Sequence, residues 1–463
     1  MREMKQQFRI RGGGSRWATA LGAAALALAG CSSSGGHPAI PASSAPISTG
    51  TGATGHSGCP SGSASGITSQ QITLAATVID ISGGSVSNST FGVPSVATQK
   101  EDWTLVADSI NKSGGVGCRG IVLKFYQINS FDPTGAQQVC LDIAAAHPFM
   151  VLDSGSLTET GASACLPAHK VPMASTYLTE EQLNQYRPYY LQIGDLPEDI
   201  LRNGVLGLKQ LGYFSPSKGF KKVGVLYHTC SSSLVTAQRQ ALQEAGLTGS
   251  QIVNYSLGCP TGLDTAASFE QAVLDFKDAG VSDVFMVEIT DGGEFTQIAA
   301  QQNYKPQYLF AENDVAVNGT TGANAPNPAN YDGAVDVLGG AYGEQSTPGY
   351  QPSGGTQKCN AIYNAAGQPS VYSQETGYPG LVCDYLWFVQ ALLSHASTFQ
   401  ASALPQDMRA MGSVNFSYPF APTDFSAAPA DSTYGVSYWR AVDYHALCKC
   451  WQVPDPTFNP PFK

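Results

Sequence analysis

The chain has 463 residues, 13% of them charged, and a formal net charge of −11 at pH 7. One ordinary hydrophobic core does not organise so long a chain, so two domains are expected. The acidic balance argues against nucleic-acid binding, because that binding depends mainly on Lys and Arg contacts to phosphates. No basic patch or long Lys/Arg run lies beyond Arg16.

The N-terminus has the pattern of an export signal. Basic residues precede the apolar run 17–29, which is too short to span a bilayer as a stable helix. Small residues then precede Cys31, which is typical of a bacterial lipoprotein signal; an ordinary secretory signal with an incidental cysteine is the alternative. We expect residues 1–31 to be the signal segment, with Cys31 lipidated, and residues 32–66 to be a flexible tether rich in Ser, Gly and Pro. The protein is then exported and lipid-anchored to the outer face of the bacterial cytoplasmic membrane.

After the tether, apolar runs of strand length alternate with amphipathic helical patterns. Trp103, Val106 and Ile110 share one face of the first helix, and Gly114-Gly115 can end it in a left-handed turn. The first series predicts strands at 72–79, 121–128, 149–152, 171–174 and 190–193, and further helices at 135–147 and 158–168.

A second series with the same rhythm begins at Pro197. Its continuous apolar runs are typical of strands that are buried on both faces, and the alternation of strands with helices indicates parallel sheets. We therefore predict an α/β fold with two doubly wound parallel-sheet lobes. The second series predicts helices at 197–211, 234–245, 266–279 and 293–302, and strands at 222–227, 251–256, 283–288 and 307–310.

The last third departs from this rhythm and is expected to return to the first lobe. We assign residues 67–195 and 336–412 to the first lobe, and residues 196–335 and 413–463 to the second. The pattern predicts a strand at 335–341, a loop-rich region at 343–377, helices at 385–397 and 405–411, and short β segments at 414–418, 436–441 and 446–453.

Eleven cysteines in an exported chain indicate disulfides. With Cys31 lipidated, an even number remains, and one set of bridges pairs neighbours in order, although the sequence does not fix the pairing. Cys448 and Cys450 form the least secure pair, because a bridge across one residue is strained. A metal site is not expected, since no C-x-x-C occurs and the histidines are scattered. The disulfide candidates are Cys59, Cys118, Cys140, Cys165, Cys230, Cys259, Cys359, Cys383, Cys448 and Cys450.

One segment carries a family resemblance. Residues 110–119, Ile-Asn-Lys-Ser-Gly-Gly-Val-Gly-Cys-Arg, resemble the "iNa.GGi.Gr" segment of type I periplasmic solute-binding proteins of the branched-chain amino acid and amide class, the extracytoplasmic receptors of ABC importers. Asp132-Pro133, Val171-Pro172 and the run 438–442 support it by their order and spacing. The resemblance covers about residues 66–453. It implies two lobes joined by three crossovers, with a ligand held in the cleft between them.

Open parallel sheets bind ligands beyond the carboxyl ends of their strands, which agrees with such a cleft. In the first lobe, the resemblance implies that two loops supply hydroxyls and backbone amides to a ligand carboxylate. Alternatively, Ser154 or Ser156 caps a helix that begins near Thr158. The ligand-binding candidates of this lobe are Ser154, Gly155, Ser156, Ser175, Thr176 and Tyr177.

In the second lobe, an acid is suited to hold a ligand ammonium and a tyrosine to pack on the ligand. Alternatively, Glu288 caps a loop and Asp291 starts a helix. Amino-acid-binding members commonly carry an Asp and a Tyr-Gly after the first strand of this lobe. This chain has residues 228–232, His-Thr-Cys-Ser-Ser, which argues against an α-amino acid ligand. The candidates of this lobe are Tyr227, Glu288, Asp291 and Asn313.

Two other functions share features with this sequence. Ser109 and Lys112 match the S-x-x-K pattern of penicillin-recognising enzymes, but the companion S-D-N and K-T-G motifs are absent. A signalling receptor of the same fold would share every cleft feature.

We expect a non-enzymatic receptor of an ABC importer that captures a small polar molecule such as an amino acid or an amide. Its expected partners are that ligand, ABC permease subunits and the membrane, with no cofactor and no nucleic acid, and the protein is expected to be a monomer.

Overall fold

The computed structural model describes residues 64–81, 88, 93–154, 156–258, 265–287, 292–311, 326–340, 343–371, 377–396, 398–417 and 422–462. All of them lie in the unit that spans Ser57–Lys463. The predicted signal segment and nearly all of the predicted tether lie outside the described residues. Within the described ranges, no helix is both long enough and apolar enough to cross a membrane.

The first lobe is built on a parallel five-stranded sheet, in the order β2-β1-β3-β4-β5. Separate hydrophobic clusters bury its two faces, one that includes the first helix and one that includes the second, so the sheet is doubly wound as predicted. The strands are β1 (Gln71–Ile79), β2 (Gly120–Ile128), β3 (Met150–Asp153), β4 (Met173–Ser175) and β5 (Tyr190–Gln192). The helices are α1 (Val96–Lys112), α2 (Pro133–Ala145), α3 (Ser156–Glu159), α4 (Cys165–Ala168) and α5 (Glu180–Tyr186).

The second lobe contains a seven-stranded sheet in the order β15-β14-β10-β9-β8-β6-β7. Its strands β6 to β10 are parallel, and β14 and β15 extend the edge in antiparallel pairing. The strands are β6 (Val223–Tyr227), β7 (Ile252–Ser256), β8 (Asp283–Val287), β9 (Gln307–Phe310), β10 (Val335–Leu338), β14 (Arg440–His445) and β15 (Cys450–Gln452). The helices are α6 (Pro197–Gln210), α7 (Ser232–Glu244), α8 (Ala266–Asp278), α9 (Gly292–Gln301) and α10 (Pro328–Tyr331).

The chain returns to the first lobe after β10. The predicted boundary at residue 336 was wrong, because β10 pairs with β9 and β14 and so keeps residues up to Leu338 in the second sheet. The returning helices share a hydrophobic cluster with α1, and each fully buried Leu or Phe there contributes roughly 2 kcal/mol. They are α11 (Gly354–Ala365), α12 (Tyr378–His395) and α13 (Leu404–Ala410), and a small sheet of β11 (Ser413–Val414), β12 (Thr423–Asp424) and β13 (Val436–Ser437) follows.

Three local predictions were wrong. Residues 343–377 were expected to be loop-rich, but they include α11, and α12 begins at Tyr378 rather than at residue 385. The helix predicted at 158–168 is broken into α3, a 3₁₀ turn and α4. Gly161 causes that break, because its φ of 70° places it in the left-handed region, which ends a right-handed helix.

The resemblance segment after α1 is architectural. Asn111 pairs with the first residues of β2, since its Nδ2 donates to Ile121 O at 3.0 Å and its Oδ1 accepts from Ile121 N at 2.7 Å. Gly115 has a φ of 73°, and a Cβ there would lie 2.1 Å from Arg119 O. The buried Arg119 donates to Thr68 O at 2.7 Å and to Gly117 O at 2.9 Å. These contacts fix the turn between α1 and β2 at the amino edge of the sheet.

A buried ion pair anchors the connection between β10 and α11. Arg440 Nη2 lies 2.9 Å from Glu344 Oε1, and both side chains are essentially inaccessible to solvent. Arg440 also donates to Tyr350 Oη at 2.7 Å, and its guanidinium lies 4.4 Å from the centre of the Phe458 ring. Glu344 accepts a further bond from Ser353 N at 3.2 Å, so the carboxylate has partners on both oxygens. The pair therefore ties this crossover to β14 in the second lobe.

Disulfides join cysteines that are neighbours in sequence order. Cys140 is bonded to Cys165, Cys359 to Cys383, and Cys448 to Cys450. The last of these is the pair that was least expected. Cys118 and Cys230 are also disulfide-bonded, and the partners expected for them, Cys59 and Cys259, lie outside the described residues, as does Cys31.

Candidate functional site

The carboxyl edge of the first sheet brings together several predicted site residues. Asp153 at the end of β3 lies beside Ser175 at the end of β4, which in turn lies beside Gln192 at the end of β5. All three residues are almost completely buried. Because the strands are parallel, the loops that follow them leave the sheet on the same side, which is the side expected to face a ligand.

Asp153 organises the loop after β3. Its Oδ1 accepts from Thr77 Oγ1 at 2.9 Å and from Leu157 N at 3.2 Å. Its Oδ2 accepts from Thr158 N at 3.2 Å and from Thr158 Oγ1 at 2.9 Å. Burial raises the pKa of Asp153 above its ordinary value, and these four hydrogen bonds act in the opposite direction. Asp153 therefore caps α3, so the backbone amides of Leu157 and Thr158 are already engaged by a protein carboxylate.

Ser154 is left with a free hydroxyl. Its backbone N donates to Thr77 Oγ1 at 3.2 Å, whereas its Oγ is buried and has no hydrogen-bond partner among the described residues. The alternative in which Ser154 caps the helix is wrong, because Asp153 makes those bonds. A buried hydroxyl without a partner is unfavourable by about 1–3 kcal/mol, and a ligand acceptor or donor at this position would relieve that penalty.

The loop after β4 is held by side chains of β5 and α12. Ser175 Oγ accepts from Tyr177 N at 3.3 Å, and Gln192 Nε2 donates to Thr176 O at 2.8 Å. The Tyr385 hydroxyl reaches this edge from α12 and donates to Asp153 O. Burial raises the pKa of Tyr385, so it stays protonated as a donor. The returning helix thus positions both loops of the first lobe.

In the second lobe, Tyr227 ends β6 and is partly buried. Its ring packs against the hydrophobic cluster beneath α6 and α7, and its backbone O accepts from Leu257 N at 3.0 Å. Just after it, Ser231 Oγ caps α7 by accepting from Leu234 N at 3.4 Å. Tyr227 therefore lies at the carboxyl edge of the second sheet, as expected, but part of its side chain packs against the hydrophobic core.

The remaining candidates cannot be placed. Gly155 lies outside the described residues, and Ser156 is placed only as the first residue of α3. Glu288, Asp291 and Asn313 also lie outside the described residues. The contacts of these five residues with a ligand remain predictions from the sequence.

Acidic residues at the junction between the lobes were missed by sequence reasoning. Asp195 accepts from Leu196 N at 2.9 Å and, across two connections, from Ser437 N at 3.1 Å. Glu198 at the start of α6 accepts from Glu180 N of the first lobe at 3.1 Å and from Ser233 Oγ of the second at 2.6 Å. Burial raises the pKa of Asp195 well above its ordinary value. The sequence predicted the start of a helix at Pro197, but only the tertiary structure shows that Glu198 joins the lobes.

Ser109, the serine of the S-x-x-K pattern, lies far from the carboxyl edge of the first sheet. Ser109 lies near the end of α1, at the amino edge of the first sheet, where its backbone O accepts from Ser113 Oγ at 2.9 Å. This position is on the opposite side of the sheet from Ser154. Within the part of the chain that the structure describes, no group of three or more His, Cys, Asp or Glu side chains is arranged to hold a metal ion.

No family model matches this sequence, and no curated protein matches it at the level of sequence. Solved structures do match the fold. An ABC transporter substrate-binding protein from Desulfitobacterium hafniense in complex with Leu is 15% identical, with a TM-score of 0.58, over 83% of this chain and 100% of that chain. A solute-binding protein of an ABC transporter from R. palustris in complex with 4-hydroxybenzoate is 12% identical, with a TM-score of 0.60, over 85% and 98%.

A periplasmic binding protein type 1 from Bordetella pertussis is 12% identical, with a TM-score of 0.57, over 85% of this chain and 99% of that chain. At these identities the likeness concerns the backbone, and it extends over nearly the whole of each solved chain. Two parallel-sheet lobes, three connections between them and the returning helix α12 are all present here. The chain has the fold of the type I periplasmic binding proteins.

Proposed function

We propose that this protein is an extracytoplasmic solute-binding receptor of an ABC importer. It captures a small carboxylate-bearing ligand in the cleft between its lobes, and a lipidated Cys31 tethers it to the outer face of the bacterial cytoplasmic membrane. The single observation that carries the proposal is the buried Oγ of Ser154, which has no hydrogen-bond partner among the described residues, at the carboxyl edge of the first sheet. In a two-lobed fold of this kind, ligands are expected to bind beyond the carboxyl ends of the strands, which is where this hydroxyl lies.

The carboxylate is favoured by the chemistry of the first lobe. Ser154 supplies a hydroxyl with no partner among the described residues, and Thr176 and Tyr177 lie in the neighbouring loop after β4. Two of the solved structures above were determined with leucine and with 4-hydroxybenzoate, both of which carry a carboxylate. An α-ammonium group is not required of the ligand, since the residues after Tyr227 differ from those of amino-acid-binding members. Aliphatic and aromatic acids are therefore included among the proposed ligands.

The mechanism requires no covalent chemistry. A ligand that contacts both carboxyl edges binds the closed arrangement of the lobes more tightly than the open one, and so it shifts the population toward closure. The closed receptor then presents a surface to the permease that the open receptor does not. Asp195 and Glu198, which bond across the connections, lie where such a movement would pivot. The expected partners are thus the ligand and the permease subunits, and the receptor acts as a monomer.

A thermal-shift screen of the mature protein tests the proposal. The panel pairs each carboxylic acid with its amide and its alcohol, and it includes aliphatic acids, benzoates and amino acids. A ligand that binds only the native state stabilises it by about 2.7 kcal/mol when its concentration is a hundred times Kd. We expect at least one acid to raise Tm while its amide and alcohol do not. If only neutral solutes such as sugars raise Tm, the carboxylate assignment is wrong, and if the protein hydrolyses a reporter ester or lactam, the receptor assignment is wrong.

A further inference from the structure

A disulfide stands at an exposed hairpin tip in the second lobe. Strands β14 and β15 form the hairpin, and the chain turns between them through residues 446–449. Cys448 is exposed and Cys450, the first residue of β15, is partly buried. Leu447, immediately before Cys448, is fully exposed, which makes it the most exposed large apolar side chain in the described part of the chain.

The hairpin does not depend on this bridge. Trp451 is 4% exposed, and its ring packs 5.7 Å from that of Tyr444 and 6.3 Å from that of Phe310, measured between ring centroids. Val453 N donates to Thr347 Oγ1 at 2.7 Å, so the chain beyond β15 is anchored as well. None of these contacts involves a sulfur atom, so the hairpin has anchors besides the bridge.

The bridge also contributes little through chain entropy. Its cysteines are 2 positions apart, whereas those of the other described bridges are 24 and 25 positions apart. The restriction that a disulfide places on the unfolded chain grows with the loop it closes, so this one restricts the unfolded chain least. Cys359 and Cys383 are fully buried, and so is Cys140. Of these three bridges, the one at the tip is both the least important for stability and the most accessible to a thiol.

The surroundings of the sulfurs favour a thiolate. Lys449 lies between the two cysteines, and a neighbouring cation lowers the pKa of a thiol. Gln452 Nε2 donates to Ser346 O at 3.1 Å and also lies 3.8 Å from Cys448 Sγ and 3.9 Å from Cys450 Sγ, so its second N–H can reach a sulfur. His445 is the cross-strand partner of Cys450, and its Nε2 lies 3.4 Å from Asp443 Oδ2. Because directly opposed side chains of an antiparallel pair lie within about 5 Å of each other at Cβ, the side chain of His445 is a close neighbour of Cys450.

We propose that the Cys448–Cys450 bridge is an exchange-active disulfide that accepts two electrons from two external thiol groups. A partner thiolate attacks the exposed Cys448 Sγ, the bond between the two sulfurs breaks, and Cys450 leaves as a thiolate beside Gln452 and Lys449. A second partner thiolate then attacks the partner's sulfur in the mixed disulfide and releases Cys448 as a thiolate. Each released thiolate takes up one proton. Two thiols are thereby oxidised to one disulfide, and the bridge is reduced to two thiols.

Two sources of thiol are compatible with this chemistry. One is a small thiol, and the other is a protein that carries a dithiol, for which the exposed Leu447 provides an apolar contact next to the attacked sulfur. Leu447→Ser distinguishes them. The substitution should slow reduction by a dithiol protein such as thioredoxin while leaving reduction by glutathione unchanged. If neither rate changes, the thiol source is a small molecule.

The test follows the redox state of each bridge in the mature protein. Reduced glutathione is added, samples are taken at timed intervals, the free thiols are alkylated, and the peptides are identified by mass spectrometry, with circular dichroism recorded in parallel. We expect the tip bridge to be reduced at least about ten times faster than Cys140–Cys165, with no change in the circular dichroism spectrum. Equal rates for the two bridges, or reduction of the tip only together with unfolding, would overturn the proposal.

Single-cysteine variants test the direction of attack. Cys450→Ser leaves Cys448 exposed, so it should form a mixed disulfide with oxidised glutathione readily. Cys448→Ser should do so more slowly, because Cys450 is partly buried. Lys449→Glu reverses the charge between the sulfurs and should slow exchange in the wild-type background several-fold. Failure of the Cys450→Ser variant to capture glutathione would contradict the proposal even if the bridge itself proved reducible.

Discussion

The docking of the returning helices on the first lobe can be tested through one buried acid. Asp102 of α1 is 6% exposed, and the next residue, Trp103, belongs to the cluster that α1 shares with α11 and α12. Burial raises the pKa of Asp102 from 3.8 to about 7; the Tyr363 hydroxyl of α11 lowers it, and the neighbouring Glu101 raises it further. The perturbation is Asp102→Asn, which keeps the shape of the side chain and removes the titration.

The magnitude follows from the two pKa values. In the unfolded chain the Asp102 carboxyl loses its proton at about pH 4, whereas in the folded protein it keeps the proton until about pH 7. Between these values the folded state binds the extra proton, so the free energy of unfolding falls as the pH rises. A difference of about three pKa units, at about 1.4 kcal/mol each, amounts to about 4 kcal/mol. The stabilisation is complete below pH 4 and lost by about pH 7.

The assay is urea denaturation at pH 4.5 and at pH 8, with wild type and variant measured side by side. When the pH rises from 4.5 to 8, we expect the free energy of unfolding of Asp102→Asn to increase by about 3 kcal/mol relative to that of wild type. The reason is that only the wild type loses a proton from residue 102 in this range. Asp108→Asn, an exposed position on the same helix, is the control and should show no such difference. A pH-independent difference for Asp102→Asn would refute the reasoning and, with it, the burial of Asp102 by the returning segment.

Three further outcomes are expected. Arg440→Met should lower the free energy of unfolding by about 3–5 kcal/mol, because it leaves Glu344 buried without its cation, and adding Glu344→Gln should recover part of the loss in a double-mutant cycle. Glu198→Ala should lower it by about 2 kcal/mol in urea titrations, since a charged acceptor is removed from bonds to both lobes, whereas Glu198→Gln should lose less. Tyr227→Ala should reduce both Tm and ligand affinity, whereas Tyr227→Phe should preserve Tm because the ring packing is retained.

Much of the fold could be predicted because local and tertiary signals agree. The glycines after α1 take the left-handed conformations that end a helix, and Asn111 bonds the strand that follows, so the residues at 110–119 specify that turn on their own. Helix α11 was missed because its apolar stripe is sparse. Its buried positions are Gly355, Thr356, Cys359 and Tyr363, and two glycines open it. Helix α5 had a usable signal, the capping box between Thr179 and Gln182, which was not used.

The candidate site was less predictable, because its polar contacts join residues far apart in the sequence. The sequence predicted that Ser154 and Ser175 lie at the carboxyl edge of the first sheet, because both are at the ends of predicted parallel strands. It did not show that Asp153 would cap α3 with both carboxylate oxygens, or that Tyr385 would reach the same edge from α12. Nor did it show that Asp195 would bond Ser437 across two connections. Such pairings depend on how the helices dock, and no local pattern encodes that.

The most direct test of the central claim is calorimetry on the ligand found by thermal shift. Wild type, Ser154→Ala and Ser113→Ala are titrated with the same acid. Ser113 is the control, because it ends α1 at the opposite edge of the sheet and its hydroxyl bonds Ser109 O at 2.9 Å. We predict a Kd increase of roughly tenfold or more for Ser154→Ala, as expected for losing a hydrogen bond to a charged group, and none for Ser113→Ala. An unchanged Kd for Ser154→Ala would contradict the assignment of the cleft.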